Sequence, residues 1–198
     1  MKNQIQERFH RNLARVRHLV ASYGQLAGDG QGRRPVNTSD LLRAATVFLH
    51  ATLEDFLRSI ELWKLPGAGE DRLNQIPLAG IEGRSEKFAL GKLASHRGKT
   101  VDVLIKESVN LHLERSNYNN TDDVVAVLQL AGVVPAGVNR HFGPLAEMMG
   151  RRHHIVHQAD KNDRPGHGQF QARSIGMATV NRWVASVEAF ADDVLDRL

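Results

Sequence analysis

Cysteine is missing from the 198-residue chain. Its absence excludes disulfides, thiolate metal sites and cysteine nucleophiles together, and it suits a reducing cytoplasm. The first eight residues, Met1 to Arg8, are charged and polar with no apolar stretch behind them, so they do not read as a secretory signal. No run approaches the roughly 18 apolar residues of a membrane span. The expectation is a soluble, cytoplasmic protein that makes no use of a membrane. Lysine is scarce beside arginine. Twenty-six Lys and Arg face 22 Asp and Glu, a net charge of +4. Arginine offers phosphate oxygens a planar fork, but so modest an excess permits nucleic-acid binding without requiring it.

What is there is helical periodicity. Ile5, Phe9, Leu13, Val16, Val20 and Tyr23 step by three or four and make one stripe of an amphipathic helix. The glycines from Gly28 to Gly32 end it. Thr38, Ser39 and Asp40 are cap candidates for a second helix with Leu42, Ala45, Leu49, Leu53, Phe56, Ile60 and Trp63 inward. Pro66-Gly67 stops it, and the stretch to Ser85 reads as irregular. Helices follow over 86–96 and 100–115, with a short strand near 101–105 left open. Thr121 is the expected cap of a helix running to Leu130. Pro135 and Gly143-Pro144 mark further starts, and the run from Leu145 reads as helix at least to Arg152. A loop occupies 160–168. The last helix covers 175–198 with Val180, Trp183, Val187, Phe190, Val194 and Leu198 inward. The expected fold is all-α: one domain over 1–198, a bundle of about six to eight helices with long first, second and last members, residues 1–38 forming an N-terminal extension. Tyr23, Trp63 and Trp183 are core residues on this reading.

The densest polar cluster is Arg151-Arg152-His153-His154-Ile155-Val156-His157. RNA cleavage by the neighbouring 2′-hydroxyl needs a base for that hydroxyl, a cation for the crowded phosphate and an acid for the departing 5′-oxygen. Histidine titrates near neutrality and can serve both proton steps. Arginine can hold the phosphate, and no metal is required. Arg152 and His157 lie five positions apart, roughly 140° around an ideal helix, so they do not share one stripe. His153 and His157 do share a face. That histidine pair could instead hold a metal, although no glutamate stands between them in the metalloprotease manner.

This stretch resembles the signature of the HEPN superfamily of endoribonucleases: an Arg, a polar residue, three or four residues, then His. Here it reads Arg152, His153, three residues, His157. Glu54 followed by Arg58 is similar to a second family feature, a glutamate with a basic residue four positions on, and the order of elements resembles the branch labelled RiboL-PSP-HEPN. The resemblance implies a homodimeric helical bundle with a cofactor-free RNA-cleaving site composed from two subunits. Arg152, His157, His153 and Glu54 would form its catalytic centre, and Arg151, Arg58 and Arg164 would contact RNA. It further implies a role in toxin–antitoxin or antiviral defence, with an antitoxin or regulatory protein as partner. Some members carry a tyrosine two residues after the motif histidine; this chain has Ala159 there. Arg151 stands six before His157 and competes with Arg152 for the motif position. Two bland readings stand beside these. Glu54 and Arg58 form an ordinary i,i+4 surface pair, with His50 on the same solvated polar stripe. Arg164, His167 and Arg173 flank a glycine-rich loop facing water. The rival to catalysis is a HEPN-type module that binds RNA or protein without cutting.

Overall fold

The computed structural model describes residues 1–27, 36–79, 90–162 and 172–198. Seven α-helices occupy the described residues: α1 (Lys2–Ala27), α2 (Val36–Lys64), α3 (Glu70–Leu73), α4 (Val101–Glu114), α5 (Thr121–Leu130), α6 (Phe142–Gln158) and α7 (Met177–Asp196). Short 3₁₀ turns lie between them, at Leu65–Gly67, Leu90–His96, Pro135–Gly137 and Asn139–His141. The all-α bundle with long first, second and last helices is what the periodicity implies.

α2 is the central post. α1, α7, α6, α5 and α4 all lean on it. One apolar core unites Phe9 and Leu13 of α1, Leu49 and Phe56 of α2, Val124 and Leu128 of α5, Leu145 and Met148 of α6, and Val187 and Phe190 of α7. Each such side chain contributes about 1.5–3 kcal/mol by leaving water. The six apolar residues of α1 chosen by spacing are all buried within that same core. Tyr23 and Trp183 are core residues, and Trp63 packs against the core half-buried.

Several boundaries differ from the sequence expectation. α2 begins at Val36, so Thr38, Ser39 and Asp40 lie inside its first turns, and Asp40 accepts a hydrogen bond from Arg43 at 3.0 Å. Residues 101–105 are helix rather than strand, with Thr100 as the cap of α4. The cap of α5 is Asn120, not Thr121. Its side chain accepts from the Asp123 amide at 2.9 Å while Asp123 reaches back to the Asn120 amide at 3.3 Å, a reciprocal box that satisfies two open donors. Leu90–His96 forms a 3₁₀ helix; residues 86–89 lie outside the described residues. α6 runs past Arg152 to Gln158, and its end sets the candidate site.

That end is unusual. Ala159 and Asp160 both take the left-handed conformation, with φ of 48° and 55°, each costing roughly 1–2 kcal/mol for a residue with a Cβ. The Asp160 amide closes the helix by donating to His154 O at 3.0 Å. Its carboxylate, fully buried, accepts from Arg43 Nε at 2.8 Å and from Arg151 at 2.7 Å. Both arginines also donate to the Arg173 carbonyl. One carboxylate thus ties α2, α6 and the segment entering α7 together, and offsets the strained turn.

Candidate active site

The polar stripe on α2 is not a solvated face. His50 is buried, and Glu54, Arg58 and Glu61 follow it beneath the connection that joins α4 to α5. Arg58 donates to the carbonyls of Leu113 at 3.1 Å and Ser116 at 3.0 Å, covering acceptors that the end of α4 leaves open. Its guanidinium also lies over the Tyr118 ring. The Tyr118 hydroxyl donates to the Glu61 carboxylate. Burial, then that carboxylate, pushes the Tyr118 phenol far above its ordinary range; burial raises the Glu61 carboxyl as well. Arg58 therefore anchors the α4–α5 connection through its own side chain, rather than standing free at the surface.

His50 completes the anchor and begins the site. Its Nε2 lies 3.1 Å from the Tyr118 carbonyl, an oxygen that can only accept, so Nε2 carries the proton. Nδ1 stands 3.6 Å from a Glu54 oxygen and has no hydrogen-bond partner. Burial lowers the His50 pKa; Glu54 opposes the shift, and the positive charge of Arg152 adds to it. His50 is therefore a neutral imidazole at neutral pH, close enough to Arg152 to feel its charge.

Arg152 stands where the buried stripe of α6, Leu145, Met148 and Met149, meets α2. It lies three and four residues beyond the last two, on their face. Its side chain is half-buried. One terminal nitrogen donates to Asn119 Oδ1 at 3.2 Å, and Nε is sealed from solvent without a partner. Asn119, on the α4–α5 connection, is a site residue that sequence reasoning passed over as part of a turn. The neighbouring Arg151 points elsewhere, into the Asp160 junction.

His153 and His157 project from the other side of α6. Both are exposed, and their rings lie 4.6 Å apart at 45°. His154 bonds Gln158 at 2.7 Å. Among the described residues, no third His, Asp or Glu joins the pair to complete a metal-binding group. The described depression beside α6, about 380 Å³, is bordered by Glu147, Arg151, His154, Arg173, Gly176 and Trp183. It takes in neither Arg152 nor His157, which leave α6 in different directions, as their five-residue spacing requires. Arg164 and His167 lie outside the described residues. Arg173 gives its backbone carbonyl to the Asp160 junction.

The arrangement gives one half-buried guanidinium braced by Asn119 near the neutral His50 imidazole, with the exposed imidazoles of His153 and His157 following on the same helix. No helix among the described residues is long and apolar enough to cross a membrane. No family model, no curated protein and no solved structure matches the chain.

Proposed function

We propose that the protein is a metal-independent endoribonuclease of the HEPN type, which cuts RNA by 2′-hydroxyl attack and leaves a 2′,3′-cyclic phosphate. The observation that carries this reading is the bracing of Arg152 at the α2–α6 junction, with His157 and His153 exposed on the adjoining turn. The bond of Arg152 to Asn119 and the reach of its charge to His50, while Arg151 is committed to Asp160, favour Arg152 as the functional arginine. Glu54 acts through His50, and Arg58 acts on the α4–α5 connection that carries Asn119. Both are positioning residues on this reading.

One protomer does not aim Arg152 and His157 at a common point. A two-fold dimer resolves this, because a symmetric contact across α6 brings two copies of each group to one groove. There, one His157 takes the 2′-hydroxyl proton and the new oxygen–phosphorus bond forms. Arg152 neutralises the crowded phosphate as charge builds on it. The 5′-oxygen leaves with a proton from the second imidazolium. The biological setting we propose is a toxin or antiviral effector restrained by a partner protein.

The direct test is incubation of purified protein with RNA. His157→Ala is expected to lose activity at least about 100-fold, the usual scale of an acid–base role, while the protein remains folded. Activity is expected to survive EDTA, and DNA of the same sequence to stay intact for want of the 2′-hydroxyl. Undiminished cleavage by His157→Ala sinks the proposal. The divergence of Arg152 and His157 within a protomer favours one rival, a non-cutting RNA- or protein-binding module; RNA bound tightly and recovered whole supports it.

A further inference from the structure

The net charge of this protein is accounted for by one helix. α1 carries Lys2, Arg8, Arg11, Arg15 and Arg17 against a single acid, Glu7, a net of four. The whole chain's net charge is +4, so everything outside α1 sums to zero. Within α1 the charge is sorted by direction. The apolar stripe from Ile5 to Tyr23 faces the core. On one flank Arg8 pairs with Asp55 of α2 at 2.5 Å, and Asn12 bonds the same carboxylate. On the other flank Arg17 pairs with Glu188 of α7 at 2.5 Å, and His10 lies 4.0 Å from Asp192. Acids of α2 and α7 thus neutralise both flanks.

The crest between them is different. Arg11 and His18 point away from the core, and Arg15, between them in the chain, leans toward α2. All three are exposed. None makes a hydrogen bond or ion pair with a described residue, and exposed Glu7, one turn before Arg11, is the only acid on the crest. The Arg15 guanidinium lies 5.4 Å from the ring centroid of Phe48, an α2 residue left 43% exposed. A large aromatic ring in water, flanked by arginine, offers a stacking platform beside phosphate-binding groups.

We infer that the crest of α1, with Phe48, is a docking surface for single-stranded nucleic acid, held through its phosphates by Arg11 and Arg15 and by a base on Phe48. Charge complementarity selects the occupant. An anionic membrane would also attract the crest, but interfacial helices insert apolar side chains, and the large apolar residues of α1 are committed inward, save Leu26 in the last turn. Phe48 and Asp55 lie on the opposite side of α2 from His50 and Glu54, so the surface is separate from Arg152 and does not depend on cleavage.

The test is fluorescence anisotropy of the full chain with a labelled 2′-O-methyl oligouridylate, whose blocked 2′ positions keep it whole. Arg11→Gln/Arg15→Gln is compared with Lys106→Gln/Arg115→Gln, which removes equal charge from exposed positions on and after α4. The crest variant is expected to bind about tenfold more weakly and to lower the salt slope by about 0.7 for each lost phosphate contact, with the α4 control near wild type. Phe48→Ala is expected to weaken binding without changing the salt slope. Equal losses in both double variants would reduce the effect to net charge and overturn the inference, as would unaltered binding in the crest variant. Capture of anionic phospholipid vesicles that depends on Arg11 and Arg15, with the oligonucleotide unbound, would overturn it in favour of a membrane. Both double variants keep Arg152 and His157, and the blocked oligonucleotide cannot be cut, so failure of this inference is read apart from failure of the nuclease proposal, which cleavage of unmodified RNA scores.

Discussion

Burial makes His50 a reporter on the heart of the molecule. Its pKa is lowered on folding, chiefly by desolvation. The unfolded chain therefore takes up the proton first, near the ordinary histidine value of about 6.5. Stability contributed by neutral His50 is fully present above that pH and is lost as pH falls from there through the lowered folded pKa. The unfolding free energy of wild type minus that of His50→Gln should accordingly shrink as pH drops below about 6.5; a difference that stays flat from neutral pH to pH 5 contradicts this assignment. Glu61 has the opposite sign. Its raised pKa favours the folded state at low pH and works against it as pH rises through the carboxylate range. Asp160 is the other residue on which much rests. Asp160→Ala leaves Arg43 and Arg151 facing one another without their shared carboxylate. Removing one partner from a buried ion pair costs about 3–5 kcal/mol. Urea unfolding should show a loss near that size, and a loss below 1 kcal/mol would mean solvent already screens the junction. Neither residue could be weighed this way from the sequence. His50 reads as one more polar residue beside an apolar stripe, and Asp160 as one more loop residue, because burial is decided by what other segments bring over them.

Among the elements, periodicity was legible and termini were not. All six α1 positions picked by spacing are buried, as are the six of α2 from Leu42 to Ile60, because a stripe needs only a period and a core to face. Caps depend on which of several adjacent polar residues turns first. Asn120 and Thr121 both qualify by type; the Asp123 side chain selects Asn120 by reaching its amide. Asn120→Ala should therefore cost about 1 kcal/mol in chemical denaturation, with Thr121→Ala close to neutral. The reverse order would restore the cap to Thr121. Similarly, Ala159 holds φ of 48° at the end of α6, a position that glycine fills without steric cost. Ala159→Gly should raise the unfolding free energy by about 0.5–1 kcal/mol. A loss of stability would show that the chain entropy added by glycine outweighs the relieved strain.

At the scale of the whole molecule, the spacing of Arg152 and His157 carries a consequence for assembly. Groups about 140° apart on one helix do not meet on one phosphate unless a second copy supplies the partner. On the nuclease proposal, specific activity should fall as the protein is diluted through its dimer dissociation, and recover on concentration. Activity per protomer that is constant through a dissociation seen by sedimentation excludes the shared groove. The α1 crest adds a separate charge asymmetry, since Arg11 and Arg15 stand there without the acidic partners that Arg8 and Arg17 have on the flanks. Association with a polyanion should be steered to that face and should weaken steeply with salt.

By itself the sequence determined the class of fold and the inward faces of its long helices, since both follow from where apolar residues recur along one chain. It also singled out the Arg152–His157 stretch by density of polar chemistry. Only the tertiary structure decided what those groups touch. It turned Arg151 into the Asp160 junction and Arg152 toward His50 and Asn119, and it put His50 and Arg58 beneath the α4–α5 connection. The physical reason is that hydrogen-bond partners and burial belong to pairs of distant segments: His50 with Tyr118, Arg152 with Asn119, Arg43 with Asp160. No local pattern encodes which segments meet.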